Sequence, residues 1–246
     1  MSKVLVIGDS CTDVFVYGNI ERICPEAPVP VINPTDKTEN GGMANNVVAN
    51  LEALDVKVKC ITNTNEVIKT RYVDNRSNQL VLRVDENDSC DPISVEQLTE
   101  IVEYDCDAVI ISDYCKGFLN EEAIEFICEN KDNVFIDTKK KLGKWIEDVT
   151  FIKINELEHK KNFEFIPNYP ELEDRLIITQ GSKGCVYMGE TFPVEEVPVK
   201  DVSGAGDTFI SALVVKYLET KDIKIAIDYA QHCTTIVVQK HGVATI

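Results

Sequence analysis

Short apolar runs rich in β-branched residues recur along the chain, with helical patterns between them. Several runs end in Asp, Asn or Gly, as strands do when they deliver polar groups to one edge of a sheet. This alternation predicts an α/β protein with a doubly wound, mostly parallel sheet and helices on both faces. Ligands of such sheets bind beyond the carboxyl ends of the strands, so we expect the site there. The predicted strands are VLVIGD (4–9), VKVKCIT (56–62), AVIISD (108–113), NVFIDT (133–138), FIKIN (151–155) and RLIITQG (175–181).

Three helices are predicted from capping signals and apolar periodicity. Ser94 opens the stretch 94–102, and Gln97 stands three residues later, which is the spacing of a capping box. Asn120 precedes a run with two acids in its first turn, where the helix dipole favours negative charge. Residues 222–240 carry an apolar stripe with helical spacing.

Two stretches depart from this alternation. Residues 13–34 and 78–85 contain strand-like runs, the first with several prolines, and they are typical of an exposed flap rather than of a core. We expect them to form a small β lid over the edge of the sheet. The sequence shows no internal repeat and no low-complexity linker, so residues 1–246 are predicted to form a single domain.

The net charge of −17 limits the partners of this protein. An acidic surface repels nucleic acid and anionic membranes, so we expect neither as a partner. Nine cysteines are scattered without the spacing of a zinc site, which favours reduced thiols and the cytosol. The first apolar run is too short for a signal peptide, and no stretch approaches the length of a membrane span. These features predict a cytoplasmic protein.

The stretch DVSGAGDTF (201–209) places two glycines directly before an aspartate and a long apolar segment. A glycine turn that leads into a helix exposes unpaired N–H groups, and the helix dipole adds positive potential there. This arrangement predicts an anion site, with phosphate as the usual occupant. An alternative is that Asp207 only caps its own helix. The sequence lacks the GK[ST] of a P-loop and lacks a GxGxxG after the first strand.

Phosphoryl transfer would use both features of this stretch. The reaction needs donors that stabilise charge on the transferring group, and it needs a carboxylate that accepts the proton of the attacking hydroxyl. The amides of 204–206 and the side chain of Asp207 supply these groups within four residues. Near a helix N-terminus we expect Asp207 to be ionised at neutral pH.

The same stretch resembles the C-terminal signature D-T-x-G-A-G-D of the ribokinase-like carbohydrate kinases. Val202 stands where threonine is commoner, and with Ser203 it is similar to the heptose-phosphate kinase branch of that family. Five further stretches resemble family motifs in family order, and together they span most of the chain. They are GDSCTDVFVYGNIERICPEAPVPV (8–31), GGMANNVVANLEAL (41–54), SDYCKG (112–117), INELE (154–158) and ITQGSKG (178–184).

The resemblance implies a ribokinase-like fold, ATP and Mg²⁺ as cofactors, and a role for each matched residue. Asp207 would be the catalytic base, and the amides of Gly204, Ala205 and Gly206 would form the anion hole. The implied sugar-binding residues are Asp13, Gly41, Gly42 and Asn45. The implied nucleotide-binding residues are Asn155, Glu158, Thr179, Gly181 and Gly184, with Glu158 holding Mg²⁺ through water. Related kinases pair two lids, so the resemblance also implies a homodimer through the lid strands.

Asn155 and Glu158 also have the spacing of a capping box, so a purely structural role is the alternative for this pair. Magnesium binds a few carboxylate or water oxygens together with substrate phosphates, and we expect no metal ion held by the protein alone.

A phosphorylated sugar would need basic residues in its pocket. Arg83 and Lys116 lie in stretches that resemble the heptose-phosphate kinases and are predicted to bind the substrate. Lys69, Arg71 and Lys139 are further candidates.

Three functions stay open at this point. The first is an ATP-dependent kinase of a sugar phosphate, most like D-glycero-β-D-manno-heptose 7-phosphate phosphorylated at O1. The second is a kinase of an unphosphorylated sugar or a nucleoside. The third is a shortened, non-catalytic sugar- or nucleotide-binding relative, because the family usually has a further helix and strand after residues 61–64 and a closing segment after 242–246. An intact Asp207 argues against the third, since a binding module needs no base.

Overall fold

The computed structural model describes residues 2–240 and 242–246 and contains two β-sheets with helices packed on the larger one. The strands in chain order are β1 (Lys3–Gly8), β2 (Ser10–Ile23), β3 (Pro30–Met43), β4 (Lys57–Thr62), β5 (Ile68–Asp74), β6 (Leu80–Glu86), β7 (Ala108–Asp113), β8 (Val134–Thr138), β9 (Phe151–Asn155), β10 (Leu176–Thr179), β11 (Cys185–Tyr187) and β12 (Glu190–Phe192). The helices are α1 (Ala44–Ala53), α2 (Val95–Glu103), α3 (Glu121–Asn130), α4 (Glu156–Lys161), α5 (Ala205–Thr220) and α6 (Ile223–Val237), with four short 3₁₀ turns between them.

The larger sheet has the order β12-β11-β10-β9-β8-β7-β1-β4. The six neighbouring strands β4, β1, β7, β8, β9 and β10 pair in parallel. Strands β11 and β12 form an antiparallel hairpin at the β10 edge. The six strands predicted from apolar runs all lie in the parallel part, and the predicted α/β fold class is confirmed. The hairpin strands have only three residues each, too few to give a recognisable alternation in the sequence.

Side chains of the central strands alternate between two cores. Val4 and Val6 of β1 pack in one core with α1, α5 and α6. Leu5 and Ile7 pack on the opposite face with α2 and α3. Burial of both faces explains why the central strands are nearly continuous apolar runs, as expected for a doubly wound parallel sheet.

The second sheet, called the lid below, has the order β3-β2-β5-β6. The predicted lid segments 13–34 and 78–85 fall within it. Strand β5, IKTRYVD, also belongs to the lid, whereas the prediction for this segment concerned only the basic side chains of Lys69 and Arg71. Residues 63–67 alone connect β4 to β5, so the larger sheet ends at β4 on this side. This short connection is where the sequence predicts a missing helix and strand.

Helix ends follow the predicted capping signals. Ser94 and Gln97 form the predicted capping box at the start of α2, and the side chain of Asn120 accepts a hydrogen bond from the amide of Ala123 in α3. Within residues 2–240 and 242–246, no helix combines the length and the apolar character needed to cross a bilayer.

Candidate active site

The first turn of α5 forms the centre of the site. Gly204 precedes it with φ of 80°, and a Cβ added there would lie 2.5 Å from Nδ2 of Asn46. Both facts require glycine at this position. The amide of Ala205 donates to the carbonyl of Val202 at 3.2 Å, so this turn already occupies one of the three amides predicted for the anion hole.

Asp207 lies in this turn, and its side chain is buried at 3% exposure. Its Oδ2 accepts a hydrogen bond from Nδ2 of Asn46 at 2.8 Å, and its Oδ1 accepts one from the hydroxyl of Tyr114, also at 2.8 Å. Burial raises the pKa of this carboxyl to about 6, and nearby Asp137 adds to the increase, while the two hydrogen bonds and Lys153 oppose it. The ionised form therefore predominates at pH 7, where a general base needs to be ionised.

A cavity of about 320 Å³ lies between the lid and the larger sheet, with Asp207 in its wall. We call it the lid cavity. Its lining comprises Cys11, Asp13, Gly42, Met43, Asn46, Lys69, Arg71, Arg83, Tyr114, Lys116, Lys139, Ser203, Gly204, Asp207 and Val243. All five basic residues considered for phosphate binding are among them, although they come from lid and loop segments far apart in the chain.

Three aspartates compensate part of this positive charge. Arg71 forms an ion pair with Asp13, and Lys69 pairs with Asp88 at 2.9 Å. Asp85 contacts Lys69 and Arg83, and Asp88 also contacts Lys116. Arg83 and Lys116 remain partly exposed, so their unused N–H groups are accessible from the cavity.

Lys139 has a different environment in the same cavity. Burial lowers the pKa of its ammonium, although Asp137 and Glu158 lie near enough to oppose that decrease. Its Nζ lies 3.7 Å from the centre of the Tyr114 ring, a cation–π contact. Lys139 therefore brings a positive charge to the side of the cavity where Asp207 lies.

A second cavity of about 130 Å³ lies on the other side of the first turn of α5. We call it the glycine-loop cavity. It is lined by Thr179, Gly181, Gly184, Val194, Ala205, Gly206, Phe209, Gln231 and Thr234. Gly184 has φ of 88°, and a Cβ there would lie 2.0 Å from the carbonyl oxygen of Phe192, so this position also requires glycine. Three of the five residues predicted to bind the nucleotide thus line one cavity.

Asn155 and Glu158 form the capping box that was the structural alternative for this pair. The side chain of Asn155 accepts from the amide of Glu158 at 2.9 Å, and Oε2 of Glu158 accepts from the amide of Asn155 at 2.7 Å. Glu158 is buried, and burial raises its pKa. Their roles toward nucleotide and metal stay predictions. Among the described residues no group of three or more metal-ligating side chains occurs.

The predicted sugar-binding residues divide into two pairs. Asp13 and Gly42 line the lid cavity, and a Cβ on Gly42 would lie 2.3 Å from Oδ2 of Asp13, so glycine makes room for that carboxylate. Gly41 and Asn45 lie outside the linings of both cavities. At the start of α1 it is Asn46, one residue further along, that contacts Asp207.

Two residues of the site, Asn46 and Tyr114, and one that supports it, Asp9, were not predicted from the sequence. The carboxylate of Asp9 is 1% exposed and accepts hydrogen bonds from the amides of Tyr114, Lys116 and Phe118. It thereby fixes the loop after β7. Tyr114 lies in the motif SDYCKG, for which the sequence predicts a substrate-binding role only for Lys116.

The architecture defines a ribokinase-like fold. Ribokinase from Arabidopsis thaliana, in a structure with ribose and ATP, superposes with a TM-score of 0.69 at 15% identity, covering 98% of this chain and 94% of that one. Phosphofructokinase-2 from Escherichia coli, in a structure with potassium, gives a TM-score of 0.72 at 12% identity, covering 99% and 94%. These identities establish the fold alone.

The family model of the pfkB family carbohydrate kinases matches residues 57–246. The chain therefore belongs to the pfkB family of carbohydrate kinases.

Curated relatives include the bifunctional protein HldE of Helicobacter pylori, 29% identical over 298 positions, and that of a Nitratiruptor species, 30% identical over 295. Each alignment covers 99% of this chain, which spans 64% and 63% of the length of these relatives. Because the first alignment spans 298 positions and the chain has 246 residues, more than 50 positions of that relative have no counterpart here.

Proposed function

We propose that this protein transfers the γ-phosphoryl group of ATP to a hydroxyl of a sugar phosphate held in the lid cavity. One observation carries the proposal. The first turn of α5 separates two cavities, with Gly204 and Asp207 in the wall of one and Ala205 and Gly206 in the wall of the other. A donor in the glycine-loop cavity and an acceptor in the lid cavity would therefore meet at Asp207.

The chemistry follows from this placement. The acceptor hydroxyl gives its proton to the Asp207 carboxylate as its oxygen attacks phosphorus, and the bond between phosphorus and the β–γ bridging oxygen breaks to release ADP. The free amides at the start of α5 and the ammonium of Lys139 stabilise charge on the transferring group. Mg²⁺ would be held by ATP phosphates and, through water, by Glu158, and it would neutralise phosphate charge.

The basic lining of the lid cavity supports a phosphorylated acceptor. Five basic side chains line the lid cavity, and Asp13, Asp85, Asp88 and Asp207 supply four negative charges in or beside its lining, which leaves an excess of one positive charge. A neutral sugar needs no such excess, whereas a phosphate binds Arg bidentately and Lys as a point charge. Together with the motif resemblance and the HldE relatives, this favours a heptose 7-phosphate, phosphorylated at O1.

The test compares heptose 7-phosphate with unphosphorylated heptose in the wild-type protein and in Arg83→Ala. Arg83→Ala should raise KM for the phosphorylated sugar about 10-fold or more, because a hydrogen bond between charged groups contributes about 1.5–3 kcal/mol. Arg76→Ala is the control, since Arg76 is exposed in the turn between β5 and β6 and lies outside both linings. Equal use of both sugars would favour the kinase of an unphosphorylated sugar, and ATP binding without turnover would favour the binding protein.

We also propose a homodimer formed through the lids. Leu80 and Leu82, which lie on one face of β6, are 51% and 54% exposed. A second lid packed on this face would remove these side chains from water. Light scattering should give a dimer for the wild-type protein and a monomer for Leu82→Glu. A wild-type monomer at working concentration would contradict the proposal.

A further inference from the structure

The hydrogen bond between Tyr114 and Asp207 has no role in the proposed reaction as described above. Its hydroxyl donates to Oδ1 of Asp207 at 2.8 Å, and its ring lines the lid cavity. The other oxygen of Asp207 already accepts from Asn46. Each oxygen of the carboxylate therefore has a fixed donor, and its remaining lone pairs are directed by these two contacts.

Three further contacts hold Tyr114 in place. Its amide donates to Oδ2 of buried Asp9 at 2.7 Å, and the next residue, Cys115, has φ of 57°, which shapes the turn. The ring packs near Cys11 and Met43. The ammonium of Lys139 lies on the ring face at 3.7 Å. Backbone, ring and hydroxyl are thus all constrained, so the hydroxyl is pre-organised to meet Asp207.

We propose that Tyr114 is a positioning residue of phosphoryl transfer, whose hydroxyl orients the Asp207 carboxylate toward the acceptor and keeps it ionised at working pH. This inference rests on the proposed function, in which Asp207 is the base. Tyr114 itself transfers no proton to the substrate.

The direction of the effect follows from the charges that face Asp207. Asp137 from β8 favours the protonated carboxyl, whereas Lys153 from β9 and the donors Asn46 and Tyr114 favour the carboxylate. Burial and the Asp207 charge raise the pKa of the Tyr114 phenol well above its usual value, so this hydroxyl stays a donor across the working pH range.

Two other groups also face the pair. Burial, with Asp13 adding to it, raises the pKa of Cys11 to about 12, so this thiol carries no charge at working pH. Lys139 is positive near the ring, and its charge favours the carboxylate of Asp207. Removing only the Tyr114 hydroxyl leaves all of these groups in place, so the change in pH dependence reports the hydroxyl.

The experiment measures kcat/KM against pH for the wild-type protein and Tyr114→Phe, with Tyr187→Phe as the matched control. Tyr187 is buried, and its hydroxyl donates to the carbonyl of Asp174 at 2.7 Å, outside both cavities. Tyr114→Phe should move the acid limb upward by about one to two pH units, since it removes a hydrogen bond to a charged acceptor. Tyr187→Phe should leave the limb unchanged. Carbon-13 NMR of the Asp207 carboxyl, assigned with Asp207→Asn, should show the same shift without turnover.

An unchanged acid limb and an unchanged carboxyl titration in folded Tyr114→Phe would overturn the inference. Should Tyr114→Phe not fold, a fluorinated tyrosine incorporated at position 114, which keeps the ring and is a stronger hydrogen-bond donor, should lower the acid limb, and an unchanged limb would then overturn the inference. Asp207→Asn separates this inference from the proposed function. If Asp207→Asn retains activity, Asp207 is not the base and the proposed function itself is contradicted. If Asp207→Asn is inactive and the acid limb of Tyr114→Phe is unshifted, only the role of Tyr114 is contradicted.

Discussion

Nδ2 of Asn46 donates to Oδ2 of Asp207 at 2.8 Å, which joins two residues 161 positions apart in the chain. The contact continues along the two helices, where Nδ2 of Asn50 donates to the carbonyl of Asn46 and the hydroxyl of Thr208 donates to Oδ1 of Asn50. These buried polar contacts fix α5 against α1. The glycine-rich stretch before α1 and the stretch before α5 therefore meet at one carboxylate.

The one-residue difference between Asn45 and Asn46 gives a direct test of this geometry. Asn46→Ala should lower kcat about 10-fold or more and raise the pH of the acid limb, because Oδ2 of Asp207 loses its donor. Asn45→Ala is the matched control and should change kcat much less, since Asn45 lies outside both cavity linings. A larger loss in Asn45→Ala, measured as steady-state ADP release, would support the sugar-binding role predicted for Asn45 from the sequence and contradict this expectation.

Below pH 6 the reaction should slow in proportion to the ionised fraction of Asp207. The pKa of this carboxyl is raised to about 6 by burial, so kcat/KM should fall about tenfold per pH unit on the acid side. The measurement is a pH profile from about pH 4.5 to 8 at subsaturating acceptor. A profile flat down to the acid end of that range would mean that Asp207 is not the titrating base.

Burial of an ionised Asp207 should cost stability that Asp207→Asn recovers. Its pKa is higher in the folded protein than in the unfolded chain, so this group stabilises the fold below pH 3.8, and that contribution is lost as the pH rises through about 6. At about pH 8 Asp207→Asn should therefore raise the free energy of unfolding by about 1–3 kcal/mol. Urea titrations should show this gain shrinking toward zero near pH 4. A loss of stability on the alkaline side would contradict the assignment.

Alanine substitutions at Gly204 and Gly189 distinguish the effect of backbone strain on stability from the effect of a displaced site residue on activity. Both have positive φ, 80° and 72°, but a Cβ at Gly204 would meet Asn46 whereas one at Gly189 meets nothing within 4 Å. Each alanine substitution should cost about 1 kcal/mol of stability through strain. Only Gly204→Ala should also lower kcat, by about tenfold or more, because it displaces the donor to Asp207. Equal kinetic losses in the two variants would exclude that explanation.

The parallel strands of the larger sheet could be predicted because the central ones, β1, β7, β8 and β9, are buried on both faces and are therefore mostly apolar runs. Strand β5 was not predicted, although Lys69 and Arg71 stand at every second position, which is the period of a half-buried strand, because the prediction for this segment concerned only its basic side chains. Asp207 and the glycines before it were found from a local pattern. Asn46 and Tyr114 required the fold, because their contact with Asp207 crosses 161 and 93 positions.

The choice between Asn45 and Asn46 shows the limit of sequence reasoning at this site. Adjacent residues of a helix point about 100° apart, and only the packing of α1 against α5 decides which of them faces the cavity.

ADP release with Mg·ATP and heptose 7-phosphate, in the wild-type protein and in Asp207→Asn, is the measurement that bears most closely on the role of Asp207 as the base. We expect turnover that depends on the sugar phosphate and a loss of at least ~10²-fold in Asp207→Asn, as for the removal of a general base. Circular dichroism of both proteins verifies that the variant is folded. Turnover by folded Asp207→Asn at the wild-type rate would contradict the assignment of Asp207 as the base, and with it the proposed mechanism.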